Sequence, residues 1–171
     1  FAKYSRPRAK VLFSNRLLMM QRNGKPALTF RVGNARGNEI IEASLRVAVL
    51  VPEVSMEGEA LRRLVDLKLL RSQTPVFAMS WTVIHEVDED SPLFGYDAQR
   101  LAKDGVRFIV SLTGIDGTFS QMVHARQIYM HEHVRWGHRF VDIVGNSEDG
   151  RLQIDYRRFH DTEPVANPAS D

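Results

Sequence analysis

The sequence predicts an all-β fold, an antiparallel sandwich or barrel carrying one short helix, and three observations predict it. Apolar and polar residues alternate with period two through most of the 171-residue chain, the pattern of strands with one buried face. Turn-forming residues recur at roughly ten-residue spacing and divide the chain into eight or more short extended segments. Strand patterns do not alternate with long helical ones, which argues against a parallel α/β sheet.

In chain order, KVLF (10–13), RLLMM (16–20) and ALTFRV (27–32) read as strands, the last two joined through the turn signal Asn23-Gly24-Lys25. The glycine-containing stretch 33–38 leads into EIIEASLRVAVLV (39–51), the longest apolar run. Pro52 to Gly58 is a loop, followed by two extended segments, ALRRLVDLKLL (60–70) and PVFAMSWTVIHEV (75–87), rich in β-branched and aromatic residues; the first also fits helical spacing. YDAQRLAKDG (96–105) has apolar residues at helical spacing and a glycine stop, and is the one expected helix. RFIVSLTGI (107–115), SQMVHARQIYM (120–130), HRFVDIV (138–144) and RLQIDYRRF (151–159) return to the strand pattern, split by Gly114 to Gly117 and by the turn Asn146 to Gly150. The closing TEPVANPASD is aperiodic and is expected to fray.

Composition closes several classes of function. There is no cysteine, so disulfides, thiolate nucleophiles and cysteine-bound zinc or iron–sulfur centres are excluded. No window approaches 18 consecutive apolar residues, and Lys3, Arg6, Arg8 and Lys10 follow Phe1 closely, so neither a spanning helix nor a signal-peptide apolar region is expected. Net charge is +2, yet residues 1–38 hold nine Lys or Arg and no acid, while the rest holds fourteen against twenty-one acids. This polarity suggests an N-terminal end that faces phosphates. An aromatic–basic platform for nucleic acid would need those residues alternating on one sheet face, and TFRV offers a fragment only, so nucleic acid is not an expected partner.

Motifs for chemistry are weak. HEVDEDSPLF (85–94) concentrates acids, but proline and leucine stand where a calcium loop needs an oxygen ligand and a glycine; a loop whose carboxylates cap backbone N–H groups is the expected reading. His131 and His133 are two apart and would share a face on a strand, an arrangement that can chelate a metal as in cupin barrels. A cupin-like metal enzyme on His131 and His133 is therefore the alternative function, although the partnering glutamate is missing from Val134 to Gly137. Neither a nucleophile elbow nor a Gly-rich phosphate loop is found, and no cofactor, metal or catalytic residue is expected.

Five segments in order resemble one family. LTFRVGNARGNEIIEASLRV (28–47), SWTVIHEVDEDSPLFG (80–95), HARQIY (124–129), WGHRF (136–140) and FHDTEPV (159–165) resemble inward-rectifier potassium channels, most closely the prokaryotic KirBac type. The resemblance implies an immunoglobulin-like β-sandwich forming the cytoplasmic domain of a homotetramer that extends the potassium pore on the cytoplasmic side of the cell membrane. It implies a basic linker over 1–10 following an inner membrane helix, the domain over 11–160, and a flexible tail over 161–171. The membrane helices, pore helix and filter would lie before Phe1. Lys3, Arg6, Arg8, Arg31 and Arg36 match positions that contact anionic phospholipid head groups. Gly114, Ile115, Gly117, Thr118, Ser120, Gln121 and Met122 fall in the family's cytoplasmic gate loop, where small residues would give the backbone freedom. Glu42 matches one acidic ring that attracts polyamines or Mg2+, whereas Leu69, Gln73 and Thr113 replace the others. Arg46, on the same strand face, would be the residue to neutralise Glu42 in a neighbouring subunit.

Overall fold

A computed structural model describes residues 10–166. Its strands are β1 (Val11–Phe13), β2 (Leu17–Arg22), β3 (Lys25–Asn34), β4 (Ile40–Val54), β5 (Ala60–Asp66), β6 (Gln73–Phe77) and β7 (Ser80–Glu86); after helix α1 (Ala98–Asp104) come β8 (Arg107–Asp116), β9 (Met122–Met130), β10 (Val134–Trp136), β11 (His138–Phe140), β12 (Val144–Asn146), β13 (Leu152–Ile154) and β14 (Thr162–Pro164). Each of two five-stranded sheets is built around one long strand. In the first, β2 and then β1 share one edge of β3 while β7 takes the other. In the second, β5 and β6 share one edge of β4, and β8 followed by β9 extends the other. A single core made of Leu17, Leu28, Phe30, Val32, Val83, Leu45, Val47, Phe108, Val110 and Leu112, among others, draws on both sheets, so the chain is an all-β sandwich.

Local chemistry explains the joints. Asn23 and Gly24 both have positive φ, 53° and 77°, the two-residue turn that matches strand twist and closes β2 on β3 at the pair Arg22–Lys25. Asp97 caps α1 by accepting from the Arg100 N–H at 2.8 Å, and Gly105 ends it in the left-handed conformation. The extended run expected over 75–87 is two strands: β6 belongs to the second sheet and β7 to the first, so the chain changes sheets at Ala78 and Met79. A second departure from the antiparallel expectation is β10, which lies parallel to β2. The last third is also less regular than its pattern: HRFVDIV and RLQIDYRRF yield only three-residue strands, paired as β11–β14 and β12–β13, and a 3-10 turn at Tyr156–Arg158. Pairing of β14 with β11 ties residues 162–164 to the strand His138–Phe140.

Arg31 joins this C-terminal part to the sandwich. From β3 its guanidinium donates to the carbonyls of Phe159 (2.7 Å), Val141 (2.8 Å) and Arg158 (3.0 Å), and it lies 4.6 Å from the centre of the Phe140 ring. Two residues on, a Cβ at Gly33 would stand 2.9 Å from the Phe159 ring, and the Tyr156 hydroxyl donates to the Asn34 carbonyl at 2.9 Å. Val141, Ile143 and Phe159 form a small second core against Leu12 and Ile154. Lysine cannot reproduce a planar fork that serves three carbonyls at once. Arg31→Lys is expected to lower unfolding free energy by about 2–3 kcal/mol in urea titration, and to speed proteolytic cleavage around residues 144–154 more than around β4; equal cleavage at both would assign Arg31 no such tie.

Candidate functional site

The residues that the resemblance assigns to gate and ion attraction meet at one end of the second sheet. Ile41 pairs with Ile115 and Ser44 with Thr113, and a β-bulge between them places Glu42 opposite Gly114. Glu42 has a φ of 50°, the left-handed region that non-glycine residues avoid. The bulge turns its side chain into solvent, and among the described residues it has no ion-pair partner. Arg46 is bonded to Asp66 of the same chain at 2.9 and 3.0 Å. Leu69, Gln73 and Thr113 add no charge.

The hairpin tip between β8 and β9 is organised by a residue the sequence reading passed over. Asp116 is 1% exposed. Its Oδ1 accepts from the N–H groups of Thr118 (2.8 Å) and Phe119 (2.7 Å), while Oδ2 takes the Arg36 guanidinium and, at 3.4 Å, the Asn38 amide. The Phe119 N–H first, then Thr118, Asn38 and Arg36, hold its carboxyl below the usual carboxylate range against the effect of burial. Backbone bonds complete the tip: Gly117 N–H to Glu39 O at 2.9 Å, Ser120 N–H to Asp116 O at 2.9 Å, and Asp116 N–H to Gln121 O at 2.7 Å. Ser120 carries the left-handed turn, with φ 55°. Ile115, Phe119 and Met122 are exposed around it, as are Thr118 and Gln121. The signal for Asp116 in the sequence was Asp-Gly, a turn pair that also supplies a carboxylate to cap the following N–H groups.

Two of the expected site roles meet a particular local geometry. Neither Gly114 nor Gly117 has positive φ. A Cβ on Gly114 would lie 2.3 Å from Ile40 Cγ2 and 3.2 Å from the Ile41 carbonyl, so this glycine permits close packing against the bulge and does not loosen the loop. Arg31, matched to a lipid-contacting position, is 5% exposed and directs its donors at interior carbonyls; burial lowers its pKa to about 10, partly offset by Asp161 and Asp142. It cannot reach a head group without breaking those bonds. Arg36 is only part-exposed and is committed to Asp116. Lys3, Arg6 and Arg8 lie outside the described residues.

The other clusters resolve as structure. His131 and His133 stand on a 3-10 turn, not a strand, so residues two apart point in different directions, and His133 Nδ1 accepts from the Met130 N–H at 2.9 Å. Among the described residues no group of three or more potential ligands is placed to hold a metal, and the cupin-like reading loses its geometry. In the acidic loop, buried His85 bridges the Lys68 carbonyl and the Ser91 hydroxyl, each at 2.7 Å. A carbonyl only accepts, so Nδ1 carries the proton and Nε2 accepts from Ser91. Asp88 caps Asp90 and Glu86 pairs with Arg22 and Lys25.

Comparison with known proteins follows this geometry closely. Residues 11–171 match the family model described as the inward rectifier potassium channel C-terminal domain. The chain is 40% identical over 161 residues to the inward rectifier potassium channel Kirbac3.1 of Paramagnetospirillum magnetotacticum, covering 94% of this chain and 55% of that protein. It is 35% identical to inward rectifier potassium channel 18 of Homo sapiens and 34% to ATP-sensitive inward rectifier potassium channel 12 of Gallus gallus, over 96% of this chain and 39% and 40% of those proteins. The chain thus spans about half the length of these relatives or less. A solved structure of the sporulation control protein Spo0M from Bacillus subtilis aligns with a TM-score of 0.34 at 16% identity over 68% of this chain and 47% of that one, too weak a likeness to bear on fold or function. Among the described residues, no helix is long and apolar enough to cross a membrane.

Asp116→Asn turns an amide N–H₂ toward Arg36 and is expected to release the tip: hydrogen exchange at Thr118 and Phe119 should accelerate roughly tenfold or more with β4 protection unchanged. Unaltered exchange there would deny the carboxylate its organising role. His85, whose pKa burial lowers below 6.5, favours the neutral form when folded. Stability linked to it is therefore full above pH 6.5 and declines as pH falls below that value toward the folded pKa. Imidazole NMR should place the His85 midpoint under 6.5, and a midpoint at or above 6.5 would show that burial does not govern its titration.

Proposed function

The chain belongs to the inward rectifier potassium channel C-terminal domain family, and we propose that it serves as the cytoplasmic gating and pore-extending domain of a homotetrameric potassium channel. The observation that carries this reading is the hairpin tip at Gly114–Met122, pinned by Asp116 to Arg36 and adjoining the exposed Glu42. Closed four-fold packing would bring four such tips and four Glu42 carboxylates around one axis. Potassium ions would pass between the tips, and the exposed ring of Ile115, Phe119, Ser120 and Met122 would set the width of the passage.

Anionic phospholipid head groups are the proposed partner at the membrane end, through Lys3, Arg6 and Arg8. Each basic side chain near an anionic surface contributes on the order of 1 kcal/mol, and four subunits multiply the patch. Arg36 enters as a link between the 34–38 loop and the tip: a lipid that drew it away from Asp116 would loosen the turn, so its role is coupling more than head-group binding. Glu42 alone supplies a weak negative ring in the proposed pore, a modest attraction for polyamines or Mg2+.

In the full-length channel carrying this domain, Ser120→Trp is expected to reduce potassium flux severalfold, and Glu42→Gln to weaken an already shallow spermine block. Both are read by flux into liposomes or by single-channel recording. Normal flux in the first variant would remove the tip from the ion pathway, and a steep block insensitive to the second would place the cation site elsewhere.

A further inference from the structure

Two aromatic–glycine pairs converge on a surface that the gate and pore do not use. Phe94-Gly95, at the end of the acidic loop, and Trp136-Gly137, after β10, each turn the chain at a left-handed glycine, φ 79° and 69°. Each leaves its ring partly in solvent, 56% exposed for Phe94 and 37% for Trp136. Between them lies a cavity of about 470 Å³, lined also by Met19 and Gln21 of β2, Pro26, Val87 and Leu93. Nothing stands within 4 Å of a Cβ built on Gly137, and only Arg100 approaches one on Gly95, at 3.6 Å. Their left-handed backbone, rather than crowding, accounts for glycine at both positions.

From this we infer that the cavity is a binding site for a neutral, largely apolar small molecule of bicyclic size. No side chain on its wall is charged, and Arg100, beside Gly95, is engaged by the Tyr96 ring and Asp104, so neither an anionic head group nor a polyamine finds a free counter-ion there. Its volume falls in the range of small-molecule pockets, about 300–1,000 Å³, and exceeds what one inserted side chain would fill. The flexible Met19 side chain gives a lining that adapts to the ligand's shape, and the rings of Phe94 and Trp136 supply faces for stacking. The polar contacts it offers are few: the Gln21 amide and the Trp136 N–H, since the Tyr96 hydroxyl is already donated to Asp104 at 2.7 Å and the Tyr96 ring carries Arg100 at 4.0 Å. One hydrogen-bonding group on an otherwise apolar ligand matches this wall. The site is independent of the channel reading, because none of its walls belongs to the tip or the bulge.

The chain holds two tryptophans, which makes the test internally controlled. Trp81 sits in the core against Phe77, while Trp136 lines the cavity. In ¹H–¹⁵N spectra of the 171-residue chain titrated with 2-naphthol, the Trp136 indole signal is expected to shift saturably and the Trp81 signal to stay fixed. Phe94→Ala should weaken binding about five- to tenfold, with the Trp81 signal confirming that the variant folds. Naphthalene-2-sulfonate, of the same ring size but anionic, should bind at least about tenfold more weakly. No saturable shift, equal shifts of both indoles, or equal binding of neutral and anionic probes would overturn the inference. So would a rise of about tenfold in affinity for a chain ending at Ala166: Val165 donates to the Gly137 carbonyl at 2.8 Å, and such a rise would assign the cavity to the chain's own C-terminal residues.

Discussion

Arg31 is a cation buried on the face of β3 opposite the sandwich core, and the C-terminal third of the domain is organised by what that charge requires. A guanidinium taken out of water must be supplied with acceptors or it destabilises the fold. The acceptors come from residues 141, 158 and 159, more than a hundred positions away in sequence. These segments are too short and irregular to fold by strand pairing alone, since β11 to β14 are three-residue strands in two-stranded sheets. Their carbonyls are aimed at one point because the arginine waits there. Gly33 and Asn34 then finish the contact, one by making room for the Phe159 ring and the other by accepting from Tyr156. The RVGN stretch thus acts as a receptor for the chain's own closing segment.

The same strand end leads directly to the hairpin tip. After Asn34 the chain crosses between sheets, and its loop is itself held by side chain: the Asn34 amide donates to the carbonyls of Asn38 and Phe77 and accepts from the Arg36 N–H. That leaves the Arg36 guanidinium positioned over Asp116. A continuous set of hydrogen bonds therefore runs from the C-terminal sheets through Arg31, along β3 to Asn34, and across Arg36 to the turn at Thr118 and Phe119. Each contact is short range, yet together they connect the domain's C-terminal sheets with the exposed hairpin tip, a contiguous set of bonds between the two.

How much of this was legible in the sequence depended on whether one residue's environment was local. The Asn-Gly turn, the capped helix ending at Gly105 and the alternation in β3, β4 and β8 follow from neighbours in sequence and are where the pattern indicates. The switch of sheets at Ala78–Met79 was invisible, because β6 and β7 both read as extended and only the partners differ. Arg31 and Arg36 were assigned by resemblance to a lipid surface, a reading in which a basic residue faces outward. The structure gives them carbonyl and carboxylate partners from distant segments, which no local pattern announces. Asp116 was missed for the converse reason: Asp-Gly is so common a turn pair that the burial of the carboxylate left no trace in the sequence. The histidine pair misled because its spacing was read on a strand, and a 3-10 turn sends alternate residues to different faces.

These placements bear on how a domain of this family could change shape. Glycines in an exposed loop invite the assumption that the backbone flexes at them. Here Gly114 is pressed against Ile40 and the bulge, Gly117 is bonded to the Glu39 carbonyl, and the strained conformations belong to Glu42 and Ser120. A non-glycine residue held in the left-handed region costs of order 1–3 kcal/mol and persists only while its surroundings enforce it. Conformational tension in this region is therefore stored in the acid and in the serine, and the bonds that hold it are those of Asp116 and the β4–β8 ladder. Releasing Arg36 removes one restraint on a turn that already favours another conformation. A movement of the tip would have to break a buried ion pair beside two strained residues, whereas the close approach at Gly114 keeps β4 and β8 in contact.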